Sequence, residues 1–467
     1  MKRISKMLSL LLALTMILTF MPALAFAEDE TTSTNTMTET EVSQNEDTES
    51  QDSLVGEKST VKTLDIENGG EESGGESTAT YTVTWKNGST TLETDTDVAS
   101  GAKPSYDGAE PTKEATEQYT YTFAGWATED NQESGTAASD LPEVTDNKIY
   151  YAAFKATQNV ASITNDSGTQ YYISILDAWY ALKNGETIKI EKDTSFPDKN
   201  WPITDNMTLD LNGHNVLSDK VTTISGDFTI EDSSDEKKGI LNISQDYGLR
   251  IGGTGKLTVK SGTISMNGSN FGLALFANTR LLVNGGTIKG KNVAVWAYED
   301  NVSIELKNGS IISDGDAAIF TQKNKSGISI IVNGGRVEAN TNTIEVGSGN
   351  KNCSVNIAGG SLIANSGGTI ANNAAGTEIN IKGGSLYANG NVIADIAGAN
   401  ITIDGSNTEL ARKDKHLEML YSCGNLSISG GSFTGRFNYS GAKKAEISGG
   451  YFIKDEVAST YLSLFCS

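Results

Sequence analysis

One phrase recurs nine times between residue 257 and the C-terminus: apolar, any, apolar, any, Gly-Gly or a near substitute, and an apolar residue just beyond. It reads Val355-Asn-Ile-Ala-Gly-Gly-Ser-Leu362, Ile379-Asn-Ile-Lys-Gly-Gly-Ser-Leu386 and Leu426-Ser-Ile-Ser-Gly-Gly-Ser-Phe433. The last apolar residue before the glycines falls at Val259, Val283, Leu306, Val332, Ile357, Ile381, Ile403, Ile428 and Ile447, at intervals of 19 to 26 residues. A period in the low twenties built from short strands marks a β-solenoid, in which no repeat can bury its apolar side without a neighbour. The phrase constrains architecture strongly and chemistry weakly.

Each repeat divides into three strands. The first precedes the glycines and the second follows them, at Ile264, Ile288, Ile311, Val337, Leu362, Leu386, Phe433 and Phe452. The third comes about ten residues later, as in Leu273-Ala-Leu-Phe276, Val293-Ala-Val-Trp296, Ala317-Ala-Ile-Phe320, Thr343-Ile-Glu-Val346 and Val392-Ile-Ala-Asp395. Alternation points every second side chain inward, and glycine permits the tight corner between strands. A β-sandwich would not need the same corner every two dozen residues. The expected fold is all-β: a parallel β-helix of about 11–12 coils. Ser174-Ile-Leu-Asp177, followed by Trp179 and Leu182 at helical spacing and by Gly185, predicts an N-terminal cap helix over the first open turn.

The other end of the chain reads differently. Residues 1–27 have a basic start (Lys2, Arg3, Lys6), an apolar run from Met7 to Phe20 and an Ala25-Phe26-Ala27 cleavage site, the pattern of a secretory signal peptide. No membrane insertion is expected once it is removed. Residues 28–78 are Thr, Ser, Glu, Asp and Gly with few large apolar residues, an acidic tether unable to bury a core. The formal net charge of −23 argues against nucleic acid as a partner. Three cysteines, Cys353, Cys423 and Cys466, leave one unpaired at best. Cys353 shares the inward parity of Val355, and Cys353 and Cys423 lie about three turns apart, too far for a disulfide.

Residues 79–156 form a separate module. Tyr81-Thr-Val-Thr-Trp85 and Tyr119-Thr-Tyr-Thr-Phe-Ala-Gly-Trp126 alternate as strands, and Tyr150-Tyr-Ala-Ala-Phe154 closes the unit. Its aromatics supply the core, and Trp126 is expected inside it. The module resembles the Listeria–Bacteroides repeat, or internalin B-repeat, through Tyr81-Thr-Val-Thr-Trp85, the Gly101…Pro104…Pro111 spacer, Phe123-Ala-Gly-Trp126 and Val144-Thr…Tyr151-Ala-Ala-Phe154. The family ends on Trp where this chain has Phe154. The resemblance implies a small β-grasp-like domain of a secreted or wall-associated bacterial protein. Residues 157–467 resemble the right-handed parallel β-helix of the pectate-lyase-like superfamily, through the cap, Leu209-Asp-Leu-Asn-Gly213, Thr229-Ile-Glu-Asp232 and the Gly-Gly ladder. That superfamily holds lyases, hydrolases, adhesins and inert stalks, so the resemblance implies a fold and leaves activity open.

The motifs of pectate lyases and polygalacturonases do not appear in the sequence. There is no Asn-Thr-Asp, Gly-His-Gly or Arg-Ile-Lys, and the two histidines, His214 and His416, lie in polar loops with no partner evident from sequence. Glu299 and Asp300 precede Asp314 and Asp316 by one turn, and stacking could gather them into either a catalytic carboxylate pair or a Ca²⁺ site, the alternative being acidic residues in exposed corners. Phe276, Trp296 and Phe320 follow the inward Leu275, Val295 and Ile319, and Tyr298 shares the parity of Trp296. These four are expected to form an outward aromatic platform for sugar rings, or, one residue out of register, an internal stack. The expectation is an exported, non-enzymatic bacterial protein, secreted or associated with a Gram-positive-type wall. Its partner would be an extracellular glycan or a host or matrix surface protein. A polysaccharide lyase or hydrolase and a plain stalk are the alternatives.

Overall fold

The computed structural model describes residues 78–197, 201–245, 248–268 and 271–453. The expected signal peptide, nearly all of the tether, Cys466 and the last residues of the chain lie outside that set. The protein is all-β, with 51% strand against 3% helix, and its larger part is a parallel β-solenoid of about 10 turns, consistent with a right-handed β-helix. Among the described residues no helix is long and apolar enough to cross a membrane.

The spacing of the Gly-Gly phrase is the register of the sheet. Val259 pairs in succession with Val283, Leu306, Val332, Ile357, Ile381, Ile403, Ile428 and Ile447. Beyond the corner, Ile264, Ile288, Ile311, Val337, Leu362, Leu386, Leu410, Phe433 and Phe452 stack in a second column. A third column runs Val295, Ile319, Ile344, Ile370, Ile393, Leu420 and Phe437. The three meet in one continuous apolar core. Each fully buried Val, Leu or Ile contributes about 1.5–3 kcal/mol, and each has a like residue above and below it. The third sheet has 10 strands. The expected count of 11–12 coils included the first and last rungs, which supply strands to two sheets and none to the third.

Two kinds of corner close each turn. At the first, the second glycine takes a positive φ, as at Gly360 (φ +86), where an added Cβ would lie 2.8 Å from the backbone of Gly334 and Gly335 in the rung below. Glycine is required twice there, by conformation and by space. The corner after the third strand uses asparagine: Asn278, Asn301 and Asn324 have φ of 63, 58 and 58° on successive rungs. Asparagine tolerates the left-handed region, and Asn301 Nδ2 donates to Asn278 Oδ1 at 3.1 Å, linking rungs.

The N-terminal end is closed in two ways. Helix α1 (Ile175–Ala181) is capped by Ser174, whose hydroxyl accepts from the Asp177 amide at 3.3 Å, and it buries Ile175, Leu176, Ala178 and Trp179. An antiparallel hairpin, Ala161–Asn165 with Gly168–Tyr172, pairs antiparallel with the first rung and covers its open edge. Beneath the helix, Trp179, Phe196, Trp201 and Phe228 pack edge-to-face and stacked, filling the first turns.

The preceding module is a four-stranded mixed sheet in the order Thr90–Ala99, Thr80–Asn87, Lys148–Gln158, Tyr119–Ala127. The central pair is parallel and the outer pairs antiparallel. Trp85, Trp126, Val83, Val144, Tyr150 and Phe154 form its own core, so Trp126 is an interior residue, 3% exposed. In the Phe-Ala-Gly-Trp phrase, Gly125 (φ +104) lies where a Cβ would come 2.7 Å from Gly135. Directly after the module's last strand, Asn159 donates from its side chain to the carbonyls of Thr116 (2.8 Å) and Glu117 (3.1 Å) and accepts from the Thr120 hydroxyl at 2.7 Å.

Candidate carbohydrate-binding face

The third sheet turns one column outward: Thr223, Arg250, Ala274, Trp296, Phe320, Glu345, Ala371, Ala394, Tyr421 and Asn438 lie on successive rungs. Between these positions Leu275, Val295, Ala297 and Ile319 point into the core. The aromatic residues therefore stand on the outer surface. Ala274, Val293 and Trp296 form a small cluster apart from the core, with Phe271, Phe276, Tyr298 and Phe320 packed against it.

The platform differs from a single ladder. Trp296 and Phe320 are neighbours in one column, whereas Phe276 is one step out of line and pairs with Tyr298, at 5.2 Å between ring centroids. The reason is register: Ala274, not Phe276, lies beside Trp296. Trp296 is sandwiched, stacked on Phe271 at 4.4 Å and edge-on to Tyr298 at 4.6 Å, and is only 8% exposed. It forms the base of the patch, while Phe276, Tyr298 and Phe320 stay partly open to solvent.

A cleft of about 510 Å³ adjoins this patch, lined by Thr223, Arg250, Gly252, Gly253, Phe276, Ala277, Asn278 and Glu299. Phe276 is shared between the cleft and the aromatic cluster. Arg250 was not legible as a site residue, because it belongs to no motif; Glu299, expected in an acidic cluster, instead lines this cleft with it.

The acidic cluster does not assemble. Glu299 accepts from the Ala277 amide at 3.1 Å, and Asp300 accepts from the Ser326 amide at 2.7 Å, both at the corner after the third strand. Asp314 pairs with Lys289 at 3.0 Å, and Asp316 accepts from the Thr341 hydroxyl, at the corner before that strand. The two pairs are separated by a whole strand of the turn, so Glu299, Asp300, Asp314 and Asp316 do not converge on one ion. No group of three or more metal-ligating side chains occurs among the described residues.

The histidine corner is more structured than the sequence suggested. His214 Nδ1 lies 3.3 Å from Asp193, so His214 does have a partner. The Asn215 amide is the main group holding the Asp193 carboxyl below its usual pKa; burial opposes it, and the Asn215 and His214 side chains assist. Nearby, Asp232 is 1% exposed and accepts from the amides of Gly213 (2.8 Å), Ser234 (3.1 Å) and Gly239 (2.6 Å) and from the Ser234 hydroxyl (2.6 Å). Burial alone would raise its pKa, yet the four donors together leave it below the ordinary value. These carboxylates tie corners together. Cys353 is buried and Cys423 half-buried, both as free thiols, and burial raises the pKa of Cys353.

No family model, curated protein or solved structure matches this chain.

Proposed function

We propose that the chain is an exported, non-enzymatic surface or extracellular protein whose β-helix displays a lateral glycan-binding face. The observation that carries this reading is the outward aromatic cluster of Phe276, Trp296, Tyr298 and Phe320 beside the Arg250–Glu299 cleft. Partly exposed rings offer a flat apolar surface to the C–H faces of a sugar, and the cleft's amide, carboxylate and guanidinium groups suit its hydroxyls. The B-repeat reading of residues 79–156 is supported by the mixed sheet and its Trp85–Trp126–Tyr150 core. A secretory start and acidic tether agree with an extracellular place, in association with a bacterial wall.

The test is binding to a panel of soluble polysaccharides, with reducing ends and unsaturated products measured on the same samples. Binding without product, lost in Tyr298→Ala and Phe276→Ala variants that retain the wild-type circular dichroism, supports the proposal. Release of oligosaccharides would favour the lyase or hydrolase reading, and no binding by the folded protein would favour a plain stalk.

A further inference from the structure

The repeats that carry the aromatic face have a small excess of positive charge in an otherwise acidic protein. Between residues 256 and 453, Lys and Arg (17) outnumber Asp and Glu (14), although the whole chain carries −23. Three lysines gather at one corner. Lys323 and Lys325 flank Asn324, whose left-handed conformation makes the turn, and Lys351 occupies the equivalent corner of the next rung. The Lys351 amide donates to the Lys325 carbonyl at 2.8 Å, and Ser326 bridges to Lys351, so the two corner segments are in direct backbone contact.

None of these lysines is in an ion pair among the described residues. By contrast, Lys260, Lys289 and Lys307 are each matched to a carboxylate. Lys325 instead places Nζ 5.6 Å from the centroid of the Tyr298 ring, which joins the cationic edge to the aromatic patch. The carboxylates nearby keep their charge but are held by neutral donors and not by these lysines: Asp300 accepts from the Ser326 amide at 2.7 Å, Glu299 from the Ala277 amide at 3.1 Å, and Glu345 from the Asn342 side chain at 3.0 Å.

We infer that Lys323, Lys325 and Lys351 form an anion-reading edge of the binding face, and that its ligand is a glycan bearing sulfate or phosphate esters. The inference rests on the glycan-binding reading and narrows its ligand class. Lysine is a compact point charge with three rotatable donors, able to pair with the spread oxygens of a tetrahedral ester, and the bidentate fork that arginine offers to planar carboxylates and to phosphates alike is absent from this corner. The aromatic rings would hold the sugar body while the lysines pair with its ester groups, one rung apart at about 4.8 Å.

The experiment compares four forms of one polymer on the full chain: dextran, carboxymethyl dextran, dextran sulfate and phosphorylated dextran, each at low and high salt. A triple variant, Lys323→Gln, Lys325→Gln and Lys351→Gln, is set against Lys260→Gln, Lys307→Gln and Lys382→Gln, which removes the same charge at another corner. The expected result is preferential, salt-sensitive binding of the sulfated or phosphorylated form, weakened about tenfold in the first variant and little in the second, since three exposed ion pairs each contribute a few-fold. Whether sulfate or phosphate binds more tightly distinguishes the two sources of the ester. Equal affinity for dextran and its sulfated and phosphorylated forms, lost in Tyr298→Ala, would overturn the inference and keep the aromatic platform. Preference for the carboxymethyl form, or equal losses in both triple variants, would also overturn it. Absence of binding to every form would remove the inference and count against the platform as well.

Discussion

Replacing Gly360 with alanine should destabilise the solenoid at a corner where neighbouring rungs stack backbone against backbone. A non-glycine residue at φ +86 costs about 1–2 kcal/mol in the left-handed region. The new Cβ would also face three backbone atoms of Gly334 and Gly335 at 2.8 Å, and no side chain can rotate away to relieve it. Moving a neighbouring rung is overpacking, typically about 1–3 kcal/mol. Gly376 is the internal comparison, with φ +70 but nothing within 4 Å of its Cβ. Both substitutions stiffen the unfolded chain, which offsets about 0.4–1 kcal/mol. The expected costs are therefore about 2–4 kcal/mol for Gly360→Ala and about 1 kcal/mol for Gly376→Ala. Urea unfolding followed by circular dichroism reads the difference. Hydrogen exchange reads it locally, at the Ser361 amide, bonded to Gly335, and the Ser385 amide, bonded to Gly360. Equal costs for the two variants, or unchanged protection at Ser361 and Ser385 in Gly360→Ala, would refute the stacked-glycine account.

Other outcomes follow from the same geometry. The Asp232 carboxyl has a lowered pKa in the fold, so it stabilises the protein above its unfolded pKa of about 3.8, and that contribution fades as pH falls toward the folded value. Asp232→Asn should lower the urea midpoint at pH 7, and its deficit relative to wild type should shrink on acidification; a deficit independent of pH would contradict the carboxylate's role. Asn159→Ala leaves the carbonyls of Thr116 and Glu117 without their donor, at a cost of about 1–3 kcal/mol, visible as faster proteolysis between the module and the β-helix. Ser174→Ala should cost about 1 kcal/mol through loss of the helix cap, measured as a lower midpoint and faster exchange at the Asp177 amide.

Much of the fold was legible because the inward column repeats. Every residue from Val259 to Ile447 chosen by the Gly-Gly phrase proved to be a register partner of the next. Leu410 was missed because its corner, Gly405-Ser406, lacks the second glycine, so the phrase that flags its column is incomplete. The strand Thr90–Ala99 was missed for a different reason: it is an exposed edge strand of Thr, Glu and Asp, and solvent on most sides removes the apolar alternation. The hairpin at Ala161–Asn165 was hidden likewise, since it is a cap whose pairing is antiparallel to the repeat.

The aromatic patch was half legible. Parity correctly turned Trp296, Tyr298 and Phe320 outward, but parity cannot set the offset between turns of unequal length, and so Phe276 was placed in the wrong column. The same uncertainty misplaced the carboxylates, because Asp300 and Asp314 are close in sequence yet belong to different corners. The asparagine corner carries a signal that could have been used: Asn278, Asn301 and Asn324 recur with the repeat's own period.

The central claim is that this β-helix binds glycans through its third face without turning them over. Its most direct test is titration of a sulfated polysaccharide into the full chain with intrinsic tryptophan and tyrosine fluorescence, while the same samples are assayed for chain cleavage. The account predicts saturable binding that is lost in Tyr298→Ala and salt-sensitive in wild type, with no cleavage. Binding unaffected by Tyr298→Ala, or cleavage of the polymer, would contradict it.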